Sequence, residues 1–227
     1  MRYVDFTNVM TTHRMSRYLT ACGGDSRKAM TLYRKNLLLS QELFTIIGCF
    51  EIALRNVINE HYLITLGNDW LQRASLVGGI FNNQHCRFTN KAIDEAINKL
   101  GQNYGHSKLV AELGFGFWRY MFAPHQFAGA RRTLLQIFPS KPVSTPAIQY
   151  NNSYIFNQLA EINKIRNRIA HHEPICFTSF QAVKNTQYVR QNYSLILQLF
   201  QWMNIDEQSL LYGLDHISSV CTGIDIL

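Results

Sequence analysis

The densest group of side chains able to carry out chemistry lies in one short segment of the C-terminal half. The run IRNRIAHHEPI contains Arg166, Asn167 and Arg168, followed closely by His171 and His172. On a helix, Asn167 and His171 share a face, as do Arg168 and His172, whereas Arg166 and His171 lie about 140° apart. Either the helix distorts near its end, or two copies of the segment face each other across a dimer. We favour the dimer.

Arginine and histidine at this density suit the transesterification of RNA. A histidine can remove or supply a proton near neutral pH, and an arginine presents planar donors to the charge that builds on phosphorus. The 2′-hydroxyl would attack its own 3′-phosphate and leave a 2′,3′-cyclic phosphate and a 5′-hydroxyl, without a metal. Asn167 could orient a histidine or bind a phosphate oxygen, and DNA should be inert. The alternative is that these cationic residues only complement a helix dipole.

A second polar group interrupts the apolar stripe of a long N-terminal helix. Glu51 and Arg55 are four positions apart and could form an intrahelical ion pair, which is usually worth a few tenths of a kcal/mol. In the functional interpretation, Arg55 and Asn56 lie beside the Arg166 helix as supporting or RNA-binding residues, with Glu51 holding Arg55. The sequence leaves both interpretations open. The aromatic run GFGFWRYMF could stack on bases, but its helical spacing favours core packing.

No cofactor or metal is expected. The chain has no GxxxxGK[ST], HExxH, GxSxG or GxGxxG motif, and its other histidines are dispersed without ligand spacing. The five cysteines contain no CxxC pair, so neither a zinc site nor a disulfide framework is indicated, and a reducing cytoplasm fits best. The N-terminus lacks the features of a secretory signal.

Charge indicates a polyanionic partner. The 22 Lys and Arg against 15 Asp and Glu give a net charge of +7, which suits RNA or an acidic membrane surface. A basic surface that only keeps the protein soluble is the alternative. The most apolar stretch, Leu43 to Leu54, is interrupted by Glu51 and is shorter than the roughly 20 residues that span a bilayer. We therefore expect no transmembrane segment.

The elements that must position these residues are predicted to be helices throughout. Apolar residues recur at helical spacing, and no alternating strand pattern occurs, so the fold class is all-α. A first helix is expected from Asn8 to Ala21, and a second from Asp25 or Ser26 to Leu66, either continuous or divided near Ser40. Further predictions are a loop over 73–89, helices over 90–100, 107–122, 152–172 and 180–203, a short helix from 206, and a proline-rich connector at about 139–147. We predict one domain spanning 1–227.

The same segments resemble a known family. The runs LYRKNLLLSQELFTIIGCFEIALRNVINEHY, VAELGFGFWRYMF and above all IRNRIAHHEPI are similar to the Abi-like (abortive infection) proteins, a branch of the HEPN superfamily. The superfamily signature is an Arg, usually followed by a polar residue, then a His after four to six intervening positions. Arg166 and Asn167 with His171 meet it at four. His172 meets it at five, and His171 gives the family's usual form.

The resemblance implies a HEPN-type helical bundle with additional helices, a homodimer with a composite cleft, and metal-independent RNA cleavage. Relatives serve phage defence or toxin–antitoxin systems, so an antitoxin made of protein or RNA is a further expected partner. Arg166 and His171 are the expected catalytic residues, and Asn167, Arg168 and His172 are expected to support them or to bind RNA. Two alternatives remain: a non-catalytic RNA-binding or regulatory module, and a helical interaction protein with no nucleic-acid role.

Overall fold

The computed structural model describes all 227 residues and contains α-helices, three short 3₁₀ turns and no strand. The predicted all-α class is confirmed. The twelve helices are α1 (Tyr3–Met10), α2 (Thr12–Ala21), α3 (Ser26–Leu66), α4 (Trp70–Ser75), α5 (Arg87–Leu100), α6 (His106–Glu112), α7 (Phe115–Tyr120), α8 (Pro124–Gly129), α9 (Asn152–Ala170), α10 (Gln187–Trp202), α11 (Glu207–Leu210) and α12 (Ile217–Asp225).

The chain forms two compact units. The first unit comprises Met1–Gly48, Lys164–Leu197 and Glu207–Leu227, and the second comprises Cys49–Asn163 and Gln198–Asp206. Each unit has its own buried apolar core.

In the first unit, an aromatic cluster holds α2 against α3. The Tyr33 ring meets the edges of Phe6 and Tyr18 at centroid distances of 5.5 and 5.1 Å, and Tyr18 meets Phe177 at 5.0 Å. The single helix predicted over residues 8–21 is instead two helices, because Thr11 adopts a positive φ of 66° and its hydroxyl caps α2 by accepting a hydrogen bond from the Arg14 amide.

Helix α3 is one continuous helix of 41 residues. Asp25 caps it by accepting hydrogen bonds from the amides of Arg27 and Lys28 at 2.9 and 3.0 Å. By length and apolar composition it is also the one helix that could cross a bilayer, and a third of its most apolar window is buried. Core helices of soluble proteins meet the same criteria, so this is weak support for a membrane span.

In the second unit, aromatic residues again dominate the core. The Tyr62 and Trp70 rings lie 4.6 Å apart, and Phe50 meets the edge of Phe200 at 5.3 Å. The single helix predicted over 107–122 is two helices, because the backbone is extended at Leu113 and Gly114, where the buried Trp118 indole donates to the Leu113 carbonyl.

Several helix boundaries differ from the sequence prediction. The loop predicted over 73–89 is shorter, since α4 ends at Ser75 and α5 begins at Arg87, and α8 was not predicted. The proline-rich stretch at 139–147 contains no helix. Helix α10 begins at Gln187 rather than near Phe180, because the residues before it form a tight turn closed by backbone hydrogen bonds across a Phe177–Lys184 bridge.

Two histidines of the second unit are expected to weaken folding at acid pH. His61 Nε2 lies 2.8 Å from Thr133 Oγ1, and His106 Nε2 lies 2.8 Å from Asn59 Oδ1. Burial lowers the pKa of both imidazoles below the usual 6.5, so the unfolded chain binds protons more readily than the folded chain. This contribution to stability is fully present above the unfolded pKa of about 6.5, and it is lost as the pH falls from there through the lower pKa of the folded state.

Urea unfolding followed by circular dichroism at several pH values between about 7.5 and 5.5 tests this prediction. The free energy of unfolding should fall with pH in the wild type and fall less in a variant carrying His61→Gln and His106→Gln. The same pH dependence in both proteins would contradict the assignment.

Candidate active site

The predicted motif stands at the C-terminal end of α9, in the first unit. The helix closes with a Schellman motif, in which the Glu173 amide donates to the Arg168 carbonyl at 2.8 Å and the His172 amide donates to the Ile169 carbonyl at 2.9 Å. His172 therefore occupies the left-handed position, with φ of 56°, that glycine usually takes. The backbone of His171 still follows the helix, since its amide donates to the Asn167 carbonyl.

The two residues of the expected catalytic pair differ in their surroundings. The His171 side chain is exposed and makes no hydrogen bond or ion pair with the protein. Arg166 is half-buried, and its Nη1 lies 3.4 Å from Oδ1 of the exposed Asn167. No hydrogen bond joins Arg166 to His171. One copy of the chain thus brings Arg166 and Asn167 together and leaves His171 open to solvent.

Arg168 has a different role from its neighbour. Its guanidinium donates to the Pro174 carbonyl at 2.6 Å and forms an ion pair with Glu173 at 3.3 Å. It also lies over the Tyr188 ring, 5.5 Å from the centroid. These contacts hold the segment that follows the helix, so Arg168 supports the position of the two histidines.

A buried asparagine on α3 fixes the same segment. Asn36 is 2% exposed, and its Oδ1 accepts hydrogen bonds from the amides of Ile175 and Cys176 at 2.9 and 3.2 Å. Both of those residues are fully buried. The chain immediately after the motif is therefore attached to α3 by one side chain.

Two arginines of α2 attach this helix to the chain that follows α9. Arg14 donates to the His172 carbonyl and to the Tyr33 hydroxyl. Arg17 donates to the Thr178 and Gln181 carbonyls and lies 4.5 Å from the Phe177 ring centroid. Neither guanidinium forms an ion pair with a carboxylate.

These arginines line a basic hollow next to the end of the motif. The hollow has a volume of about 320 Å³, and its lining contains no acidic residue; the lining residues are His13, Arg14, Ser16, Arg17, Tyr18 and Pro174. Tyr18 is buried, and its hydroxyl has no hydrogen-bond partner. A site of this composition favours an anion such as a phosphodiester.

The excess positive charge is concentrated in the unit that carries the motif. The first unit has 12 Lys and Arg against 7 Asp and Glu, a net charge of +5, while the second has 10 against 8. Clustered positive charge raises the local concentration of polyanions.

The second predicted group, Glu51, Arg55 and Asn56, lies in the second unit. Glu51 and Arg55 are half-buried, and Asn56 is exposed. No ion pair joins Glu51 to Arg55, and the buried Nε of Arg55 has no hydrogen-bond partner. Their proposed support of the Arg166 helix remains a prediction.

Sequence reasoning missed Asn36, Arg14 and Arg17. Asn36 had a detectable signal, because it is a polar residue on the apolar stripe of α3, between Leu32 and Leu39. The two arginines had none, since a basic residue every three positions on a short helix is typical of a solvated face.

Fold and site together define an all-helical protein with a basic unit and an exposed histidine at a helix end. Residues 2–176 match the profile of the family described as Abi-like protein, a stretch that covers more than half of the chain and includes the whole motif. The chain therefore belongs to the Abi-like protein family, as its sequence resemblance predicted, and membership associates it with abortive infection. No curated protein and no solved structure matches the chain.

Proposed function

We propose that the protein is a metal-independent endoribonuclease of the HEPN type, acting in phage defence by abortive infection or as the toxin of a toxin–antitoxin pair. The observation that carries the proposal is the exposed, unpaired His171 five positions after Arg166, at the end of a helix in a basic unit. An imidazole that no protein group engages is free to exchange a proton with a substrate.

The roles follow from the chemistry of each group. His171 takes the proton of the 2′-hydroxyl or supplies one to the 5′-oxygen that leaves, and water completes the other proton transfer. Arg166 stabilises the charge on the phosphorane oxygens, and Asn167 holds the guanidinium through its amide oxygen. The bonds balance without a metal, because the 2′-oxygen–phosphorus bond forms as the 5′-oxygen–phosphorus bond breaks. Arg14 and Arg17 in the basic hollow would bind a neighbouring phosphate.

A homodimer could bring an arginine and a histidine together at one site, which a single chain does not do. Arg166 and His171 are five positions apart on one helical path, without a hydrogen bond between them. Two copies facing each other across this helix end would pool the arginine of one with the histidine of the other. We propose such a composite site, in a cytoplasmic protein whose five cysteines are all free. An antitoxin, protein or RNA, would restrain it.

The second candidate is a non-catalytic RNA-binding or regulatory module. It is favoured by the separation of Arg166 and His171 within one copy. In that case the basic unit binds phosphates, and the two histidines only end the helix.

The first experiment is incubation of end-labelled single-stranded RNA with the purified protein in excess EDTA, beside an Arg166→Ala variant. We expect the wild type to leave fragments with 2′,3′-cyclic phosphate ends, the variant to be at least about a hundredfold slower, and the matching DNA to stay intact. Binding without cutting would favour the regulatory module.

Mixing the inactive Arg166→Ala and His171→Ala proteins tests the composite site. In a mixed dimer, one of the two sites retains Arg166 from one chain and His171 from the other. Cleavage should therefore return on mixing, and no recovery would contradict a site shared in this way.

A further inference from the structure

The second unit contains a hollow of about 320 Å³ with mainly aromatic walls, here termed the aromatic hollow. Its lining includes four aromatic rings, of His85, Phe88, Phe117 and Tyr120, here called its walls, and two buried polar residues, Thr89 and Gln126, here called its floor. The volume lies at the lower end of the roughly 300–1,000 Å³ that small-molecule sites occupy. The residues come from the start of α5, from α7, from α8 and from the 3₁₀ turn before α5.

The walls expose more aromatic surface than folding explains. Phe88 is 73% exposed and Tyr120 is 46% exposed. The imidazole of His85, a lining residue, stacks on that of His125 at 4.3 Å with an interplanar angle of 12°. Soluble proteins rarely leave a cluster of large flat side chains open to water unless a partner covers it.

The two polar residues of the floor can form hydrogen bonds with the edge of a planar ligand. Gln126 and Thr89 are almost fully buried, and Gln126 Nε2 donates to Thr89 Oγ1 at 2.8 Å. Within this pair, the Thr89 hydroxyl can still donate a hydrogen bond to a ligand, and the Gln126 amide oxygen can still accept one. A donor beside an acceptor matches the edge of a nucleobase.

We propose that the aromatic hollow binds one unstacked nucleobase of a single-stranded RNA. The aromatic walls stack on the faces of the base, and Thr89 and Gln126 meet its edge. Arg87, whose guanidinium lies 4.6 Å from the Phe88 ring centroid, adds positive charge at the rim for the adjoining phosphate. This inference rests on the proposed function only in taking RNA as the ligand.

Two variants test the aromatic hollow, one by deleting a lining ring and the other by filling the space. Phe88→Ala deletes an exposed wall and should not disturb folding. Gly116→Leu fills the hollow, because a Cβ at this lining glycine would meet no atom within 4 Å. The matched controls are Phe180→Ala, at a fully exposed phenylalanine of the first unit, and Gly48→Leu, at a helical glycine of α3 with the same open space.

All four changes are made in a His171→Ala background, so that binding is measured without cleavage. Fluorescence anisotropy then compares a labelled oligoadenylate with a ribose-phosphate strand of equal length that lacks bases. Phe88→Ala and Gly116→Leu should weaken oligoadenylate binding roughly 5- to 150-fold, the effect of losing one stacked base. The salt dependence should not change, because no phosphate contact is lost. The abasic strand should bind all five proteins alike.

Unchanged oligoadenylate affinity in both hollow variants would overturn the inference, as would an equal loss for the abasic strand. The result is separable from the proposed function. If the wild type never cuts RNA but the hollow variants lose base-dependent affinity, the base-binding site is supported and the nuclease proposal is contradicted. If the wild type cuts RNA and neither hollow variant changes RNA affinity, the nuclease proposal is supported and the base-binding site is contradicted.

Discussion

Replacing His171 with alanine is expected to slow RNA cleavage by at least about a hundredfold while folding is unchanged. General acid–base catalysis by one positioned group is worth about 10²- to 10⁴-fold, and α9 itself, Asn152–Ala170, contains no histidine that could replace His171. Because the side chain is exposed and has no protein partner, its removal costs the folded state little. Single-turnover cleavage of end-labelled RNA, together with thermal unfolding of the same sample, measures both quantities.

The matched control is His172→Gly. His172 holds a left-handed conformation that costs a residue with a Cβ about 1–2 kcal/mol, and glycine relieves that strain without disturbing the Schellman hydrogen bonds. The variant should keep its cleavage rate and unfold at the same or a higher temperature than the wild type. Full activity in His171→Ala and none in His172→Gly would exchange the roles of the two histidines.

Much of the fold was predictable from local rules. The bounds of α3 followed from Asp25 or Ser26 as a cap, the absence of proline from residues 26–66, and Gly67 as a residue that can leave the helix in the left-handed region. The sequence left open a division near Ser40, and the structure shows one continuous helix. The end of α9 was likewise predicted within two residues from Pro174.

The breaks that the sequence did not reveal depend on tertiary contacts. Leu113 and Gly114 have helical neighbours on both sides, and the backbone opens there where the buried indole of Trp118 reaches the Leu113 carbonyl. The turn before α10 is held by Arg17 from α2, which is more than 160 positions away in the chain. Local propensity carries no information about either contact.

The sequence predicted which residues form the candidate site, but it did not predict the contacts that hold them in place. The order Arg166, Asn167, His171 can be read directly from the chain, and so can the end of the helix. The hydrogen bonds that hold the chain around the histidines come from Arg14 and Asn36, which precede the motif by more than a hundred residues. Their contacts form only after α2 and α3 have packed on the segment that follows α9.

Replacing Asn36 with alanine is therefore expected to have the largest effect on stability. The change leaves the buried amides of Ile175 and Cys176 without an acceptor. Each buried donor left unsatisfied costs about 1–3 kcal/mol, so the loss of two acceptor contacts should lower the free energy of unfolding by about 2–6 kcal/mol. Urea unfolding measures the loss, with Asn98→Ala, at an exposed helical asparagine of α5, as the control.

The same variant links stability to the proposed chemistry. Once the Asn36 oxygen is gone, the chain from His172 to Cys176 is held mainly by Arg14 and Arg168, so hydrogen exchange at the amides of Ile175 and Cys176 should become much faster. Cleavage should slow under conditions where the variant is still folded, because His171 is attached to the released segment. Unchanged exchange at these two amides would show that Asn36 does not hold the segment, and the support of the histidines would then rest on the two arginines.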